Sequence, residues 1–257
     1  MASDKIVILV TGASSGIGLE SVVALARESQ DFDILLGSRS TEKGKKMLED
    51  ICHSHASSLK GTISVLQIDI TDQKSILDAK EKVETKFGKL DVLINNAGIA
   101  VTRQTDTLTN LRETFETNVF GQAVVTEAFE SLLKKSSNPR LIYISSGQGS
   151  ITNRLDPTHK AYKTRGDYYR MSKTALNMLA ACHKFNFAEW GCKVCAFNPG
   201  FCVTNLTGEA GRAMRIQHGA RDPRDAADAL VKVVTGKRDA DIAKSGMVDV
   251  DGGMLPW

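Results

Sequence analysis

Short apolar runs rich in valine, isoleucine and leucine alternate along the chain with longer stretches whose apolar residues recur every three to four positions. The runs at 5–10, 33–37, 62–68, 90–95, 140–145, 193–198 and 246–250 have the length and branched content of strands. Between the first two, Leu19, Val22, Val23 and Ala26 fall at i, i+3, i+4 and i+7, and further on Ile76, Ala79, Val83 and Phe87 share one helical face. Strands separated by amphipathic helices predict crossover units, hence an α/β fold with about seven parallel strands and helices on both faces. Near the end of the chain, Asp222 as N-cap, Pro223 in the first turn and Asp225 behind it predict a helix from about 223 to 235.

Two segments break this rhythm. Residues 147–168 are polar, without helical period, and contain Asp156-Pro157; they read as an enlarged loop. Residues 201–222 read as a flap with Gly208, Gly211 and Gly219 as joints. No repeat or linker divides the chain, so residues 1–257 are expected to form a single domain. At 42% hydrophobic and 25% charged residues, the composition excludes a disordered or fibrous chain. A net charge of +3, scattered along the sequence, argues against nucleic acid as a partner. The longest early apolar run, Ile6 to Val10, is too short for a leader or a membrane span. A soluble, cytoplasmic protein with reduced thiols is the expectation, since the five cysteines are odd in number and sparse. Cys192-Lys-Val-Cys195 lies in a strand and reads as two buried thiols. Cys52-His53-Ser54-His55 reads as a solvated helix end, and no metal site is expected.

Chemistry begins at Thr11-Gly12-Ala13-Ser14-Ser15-Gly16-Ile17-Gly18, directly after the first strand and opening the first helix. Glycines there let the backbone approach a pyrophosphate, whose charge rests on the helix N-terminus. This placement, without the Lys-Ser/Thr pair of a phosphate-hydrolysing loop, predicts a Rossmann-type doubly wound sheet that binds a dinucleotide. The second strand ends Ser38-Arg39-Ser40, where NAD binders place an acid. A guanidinium flanked by two hydroxyls would instead accept a 2′-phosphate, which selects NADP(H). Farther along, Tyr169 and Lys173 stand at i, i+4 on one helix. A cation beside a phenol favours phenolate and makes an acid–base group of it. Asn95-Asn96-Ala97-Gly98, Ser145-Ser146 and Asn198-Pro199-Gly200 end three successive strands, on the edge where parallel sheets bind ligands.

In this order, the glycine turn, Asp69-Ile70-Thr71, the Asn-Asn-Ala-Gly strand end, Asn118, Ser145-Ser146, the Tyr169/Lys173 helix, Pro199 with Thr204, and the closing Val248-Asp249-Val250-Asp251-Gly252-Gly253 resemble the short-chain dehydrogenase/reductase family from Lys5 to about Met254. The resemblance implies that Tyr169 gives a proton to the substrate oxygen, Lys173 binds the nicotinamide ribose and lowers the tyrosine pKa, Ser146 bonds the carbonyl, and Asn118 holds a relay water. It further implies that Gly12, Ser14, Gly16, Ile17 and Gly18 cradle the pyrophosphate and that Asp69 and Ile70 meet the adenine. Asn95, Ala97 and Gly98 would line the adenosine and ribose side, while Pro199, Cys202 and Thr204 orient the carboxamide. Strand alternation puts Ser145 and Ser146 on opposite faces, and the family pattern selects Ser146.

The sequence departs from the family pattern where the gap between Ser146 and Tyr169 is wide, where Ser15 stands in place of the basic residue that NADP-preferring relatives often carry, and where Asn205 replaces a frequent acid after Thr204. The reading is an NADPH-dependent carbonyl reductase acting on a bulky, hydrophobic small-molecule ketone or aldehyde. A homo-oligomer pairing the helices near 108–135 and 169–189 is expected by resemblance. The same site run oxidatively is an alcohol dehydrogenase. A non-catalytic NADPH-binding sensor would need the glycine turn without Tyr169, Lys173, Ser146 and Asn118 together.

Overall fold

The computed structural model of the protein describes residues 5–101 and 105–257. One eight-stranded sheet runs in the order β3-β2-β1-β4-β5-β6-β7-β8. Its strands are β1 (Ile6–Val10), β2 (Phe32–Ser38), β3 (Thr62–Gln67), β4 (Val92–Asn95), β5 (Arg140–Ile144), β6 (Lys193–Asn198), β7 (Met247–Asp249) and β8 (Met254–Leu255). The first seven are parallel, at the places the apolar pattern gives them; β8 pairs with β7 antiparallel. That eighth strand is a correction to the expected count of about seven. Two residues carry no periodicity, and β8 exists because the turn at Gly252 and Gly253, both at positive φ, folds the chain back on β7.

Ten helices cover the two faces: α1 (Gly16–Glu28), α2 (Thr41–His55), α3 (Gln73–Phe87), α4 (Thr107–Phe115), α5 (Gly121–Leu133), α6 (Ile151–Leu155), α7 (Asp167–Asn186), α8 (Gly208–Gln217), α9 (Pro223–Val234) and α10 (Asp239–Ile242), counted among the described residues. Side-chain alternation along β1 divides the core in two. Ile8 and Val10 pack with Val22, Val23 and Ala26 of α1 and Leu230, Val233 and Val234 of α9. Val7 and Leu9 pack with Ile76, Ala79 and Val83 of α3, Val125 and Phe129 of α5, and Leu176 and Ala180 of α7. The stripes at Val22/Ala26 and Ile76/Ala79/Val83/Phe87 are thus core, as their spacing requires. Helix α9 starts as its sequence predicts: the Asp222 carboxylate accepts from the Arg224 N–H, with Pro223 at the first position.

Two expected loops contain helix. Within 147–168 lies α6, capped by the Ser150 hydroxyl, which accepts from Asn153 N at 3.1 Å. Within 201–222 lies α8, a ten-residue helix. Neither shows an amphipathic stripe in sequence, because α6 is little more than one turn and α8 is mostly exposed, with glycines at 208 and 211. Strand order reverses between β1 and β4, and the carboxyl ends of these strands open the crevice in which such sheets bind ligands.

Candidate active site

At the end of β1 the chain turns through Gly12 and Gly16 at φ of +62° and +57°, values that favour glycine. The buried Thr11 hydroxyl sews this turn to the end of β4, accepting from Asn96 N at 3.0 Å and Ala97 N at 3.1 Å. The Asn96 side chain returns the contact, donating to the Thr11 carbonyl at 2.8 Å. Neither role was read from sequence, though Thr11 and Asn96 belong to the motifs that were. A side chain at Gly12 would lie 2.7 Å from the Ala97 Cα, and one at Gly18 would lie 2.8 Å from the Gly12 carbonyl oxygen. Ser15, ahead of α1, makes no side-chain cap, and no acid stands in the first turn, so the N-terminal N–H groups and the positive end of the helix dipole are open to an anion. This cradle fits a pyrophosphate. Ser14, Ser15 and Gly16 line a cleft of about 790 Å³ together with Lys43, Val203 and Asn205, and Thr204 lies where a Gly16 side chain would go.

The ribose end is less open than the sequence suggests. Ser38 is buried and donates to the Ser40 carbonyl at 2.8 Å. Ser40 caps α2, accepting from Lys43 N, and its hydroxyl donates to the Glu42 carboxylate at 2.9 Å. Both hydroxyls expected to meet a 2′-phosphate are therefore engaged, and a carboxylate stands beside one of them. The exposed Arg39 and, in the cleft, Lys43 are the cations at this end. Asp69 accepts from the Thr71 N–H and hydroxyl, while Ile70 is buried.

Tyr169 and Lys173 come together on α7 as their spacing requires. The Lys173 ammonium donates to the Ile144 carbonyl at 2.8 Å and lies 5.7 Å from the centre of the Tyr169 ring. Burial pulls its pKa down to about 7. Without cofactor, the Tyr169 phenol shifts upward. Burial outweighs the two influences that pull it down, the adjacent Ser146 hydroxyl and the Arg215 guanidinium. The i, i+4 geometry sets the lysine over the ring, and burial weakens the lysine charge itself.

The paired serines have different partners. Ser145 is buried and donates to the Asn177 side-chain oxygen at 2.5 Å, away from the crevice. Ser146 faces the phenol and caps the following turn, accepting from Gln148 N at 3.2 Å. Asn198 steadies that turn, accepting from Gly147 N at 2.8 Å.

Asn118 is fully buried in a π-helical turn, Glu116–Phe120, between α4 and α5. Its side chain is committed to the Ile99 backbone, accepting from Ile99 N at 2.8 Å and donating to Ile99 O at 2.9 Å, and to the Ser172 hydroxyl at 3.0 Å. Gly98 lies between it and Lys173: a side chain there would meet both the Asn118 Oδ1 and the Lys173 Nζ. Asn95 is buried behind, donating to Thr126 at 2.8 Å, with its Oδ1 unpaired. Cys202 is buried and its thiol donates to the Pro199 carbonyl; burial raises its pKa to about 11. The same cause raises Cys192 and Cys195 to about 12, the inert buried thiols expected there. His183 is a core histidine, hydrogen-bonded through Nδ1 to the Tyr143 hydroxyl at 2.6 Å.

Arg170 and Arg215 carry no signal in the sequence. Arg170 ties down the enlarged segment, donating to the carbonyls of Gln148 at 3.3 Å, Ala161 at 2.8 Å and Thr164 at 3.0 Å. Arg215 reaches back from α8 to the Cys202 carbonyl at 3.2 Å.

A phenol, an ammonium and a hydroxyl gathered at the nucleotide-binding edge of a parallel sheet make an oxidoreductase that works between alcohol and carbonyl. The model of the short chain dehydrogenase family matches residues 6–215, and the chain belongs to the short-chain dehydrogenase/reductase family. It is 34% identical to the short-chain dehydrogenase/reductase tropE of Talaromyces stipitatus over 99% of both chains. It is 36% identical to the short-chain dehydrogenase anuI of Penicillium roqueforti over 92% of this chain and 94% of that one. Among solved structures, NADPH-bound carbonyl reductase from chicken fatty liver superposes with a TM-score of 0.78 at 26% identity, covering 98% of this chain and all of the other. Among the described residues, no helix is long and apolar enough to cross a membrane.

Proposed function

We propose that the protein reduces a ketone or aldehyde to an alcohol with NADPH, as a single-domain cytoplasmic enzyme. The observation that carries this reading is the half-buried Tyr169 phenol hydrogen-bonded to Ser146, on the helix that also carries the buried Lys173. The phenol holds a proton at neutral pH, the form a carbonyl reduction consumes. Gly12, Ser14, Gly16, Ile17 and Gly18 would hold the pyrophosphate, Asp69 and Ile70 the adenine, and Asn95, Ala97, Gly98 and Lys173 the riboses. Pro199, Cys202 and Thr204 would sit at the carboxamide. When bound, the nicotinamide supplies the hydride. Ser146 orients the substrate oxygen, and Tyr169 gives that oxygen its proton as negative charge grows on it. Lys173, with Asn118 behind it, sits on the side from which the phenolate is reprotonated. The prepositioned donors need no rearrangement during the step, which is where their advantage over water lies.

Preference for the phosphorylated cofactor rests on Arg39, with Lys43 in support and no acid at the end of β2. Arg39→Ala is expected to weaken NADPH binding about tenfold and to leave NADH binding nearly unchanged. The effect is modest because the guanidinium is solvent-exposed. Fluorescence titration with both cofactors checks it; equal losses for the two would remove Arg39 from the 2′-phosphate site. Initial rates with NADPH, NADH and NADP⁺ against a panel of carbonyls and alcohols test the reaction itself. Faster turnover of alcohols with NADP⁺ at neutral pH would reverse the assigned direction, and no turnover across the panel would favour a sensor.

The proposed homo-oligomer has a surface to use. Met171, Met178 and Phe185 recur at i, i+7 and i+14 on the outer face of α7, Phe185 being 84% exposed, and Phe120 is exposed at the head of α5. Sedimentation should show a dimer or larger species that Phe185→Asp converts to a monomer; a monomeric parent would end this part of the reading.

A further inference from the structure

Asn177 lies midway along α7, on the face where Leu176 and Ala180 join the core. It is 3% exposed, and a buried amide is costly unless its polar groups are bonded. Here both ends of the amide have partners. Nδ2 donates to the Gly149 carbonyl at 3.3 Å, and Oδ1 accepts from the Ser145 hydroxyl at 2.5 Å. A carbonyl can only accept, so the Gly149 contact fixes which way the amide points.

Those two partners stand on either side of Ser146. The chain between them closes on itself, with Gly149 N donating to the Ser146 carbonyl at 2.8 Å and Gln148 N to the Ser146 hydroxyl at 3.2 Å. Residues 145–149 thus form a small arch with both feet on one side chain of α7. Helix and arch meet backbone to backbone, since a side chain at Gly149 would lie 2.7 Å from the Lys173 carbonyl carbon. Other α7 side chains hold this stretch at one point each. Lys173 donates to the Ile144 carbonyl at 2.8 Å and Arg170 to the Gln148 carbonyl at 3.3 Å. Thr174 reaches the Gly149 carbonyl at 2.9 Å, but its single hydroxyl hydrogen is shared with the Arg170 carbonyl at 3.0 Å. Asn198, which accepts from Gly147 N, ties the arch to β6 rather than to the helix.

Tyr169, Lys173 and Asn177 recur at i, i+4 and i+8, so one helical face carries the phenol, the ammonium and the amide. The Ser146 hydroxyl is hydrogen-bonded to that phenol. We propose that Asn177 is a positioning residue: by holding Ser145 and Gly149 together, it sets where the Ser146 hydroxyl stands relative to the Tyr169 phenol. The role rests on the carbonyl-reducing reading above, and Asn177 acts on the substrate oxygen through Ser146 alone.

The test is a double-mutant cycle on kcat/KM for a ketone with NADPH, run in the parent, Ser146→Ala, Asn177→Ala and the pair. Ser146→Ala should cost a factor on the order of 100, the loss of one prepositioned donor. Asn177→Ala should cost about tenfold, carried by kcat with NADPH affinity unchanged, because a slightly displaced donor loses much of its effect. In the Ser146→Ala background the same change should cost less than about twofold, since no hydroxyl is left to misplace. An equal loss in both backgrounds would overturn the assignment and leave Asn177 a packing residue. Should Asn177→Ala fold poorly, Ser145→Ala removes one foot of the arch from the strand side. Its loss of kcat should likewise vanish once Ser146 is alanine, and a loss that persists there sinks the proposal.

A readout independent of turnover is the tyrosinate absorbance of the NADP⁺-loaded protein, titrated with alkali and corrected with Tyr169→Phe. The Ser146 hydroxyl pulls this phenol down, so Ser146→Ala and Asn177→Ala should each move its titration to higher pH, and the pair no further. That pattern in a protein that reduces no carbonyl supports the arch and counts against the carbonyl-reducing reading instead. A phenol that titrates in Asn177→Ala as it does in the parent overturns the arch whatever the turnover.

Discussion

Tyr169→Phe is expected to lower kcat/KM by a factor on the order of 10³ while changing NADPH affinity by no more than a few-fold. The substitution removes one oxygen and keeps the ring, so the packing of α7 is preserved and stability should change by about 1 kcal/mol or less. What is lost is the group that donates the proton, and positioned acid–base groups contribute roughly 10²–10⁴ in rate. Tyr143→Phe is the matching control. That phenol is fully buried, its hydroxyl spent on Thr126 and His183, so its loss should affect stability and leave the chemical step in place. Steady-state kinetics with melting curves separate the two, and a Tyr169→Phe enzyme with parental turnover would refute the proposed mechanism.

Lys173→Met should abolish turnover and yet make the protein without cofactor more stable. The ammonium is 3% exposed, and burial brings its pKa from 10.5 to about 7. Between those two values the unfolded chain carries the proton and the folded one does not, so stability rises with pH across the window. Below pH 7 the folded protein bears the whole penalty, on the order of 4–5 kcal/mol, and above about 10.5 it bears none. Methionine fills a similar volume without a charge, at the expense of leaving the Ile144 carbonyl unpaired, so a net gain of about 2–4 kcal/mol is expected at pH 6. Denaturant titrations at several pH values check this. The gap between variant and parent should close as the pH climbs from 7 to 10.5, and a gap that stays constant would mean that the lysine charge is not what destabilises the fold.

The lysine illustrates what the sequence could and could not say. Strands β1 to β7 were legible because a sheet covered on both faces demands unbroken apolar runs. Helices α1, α3 and α9 were legible from their stripes or caps. The i, i+4 pairing of Tyr169 with Lys173 follows from helix geometry alone, but the direction of the phenol's pKa does not, because it depends on how deeply the fold buries both groups. Ser38 and Ser40 look like phosphate ligands until the start of α2 claims the second as its cap and turns the first toward a carbonyl. Arg215 was invisible for a related reason: an arginine on an exposed, glycine-containing stretch has no local signature, and its position over Phe201 comes from how the flap folds back. Helices α6 and α8 escaped the pattern because tertiary packing, not an apolar face, sets where they lie.

The ties of Arg170 bear on how this scaffold can diversify. All three groups it holds across the 147–168 segment are main-chain oxygens, which every amino acid offers alike. The side chains of that stretch can therefore be exchanged wholesale without loosening its attachment to α7, whereas the arginine itself cannot. A library randomised between positions 157 and 165, sparing Ser150 and Arg154 whose side chains also hold the segment, should keep its fold while sampling new chemistry around an unaltered proton donor, which makes this segment the natural place to retarget the enzyme.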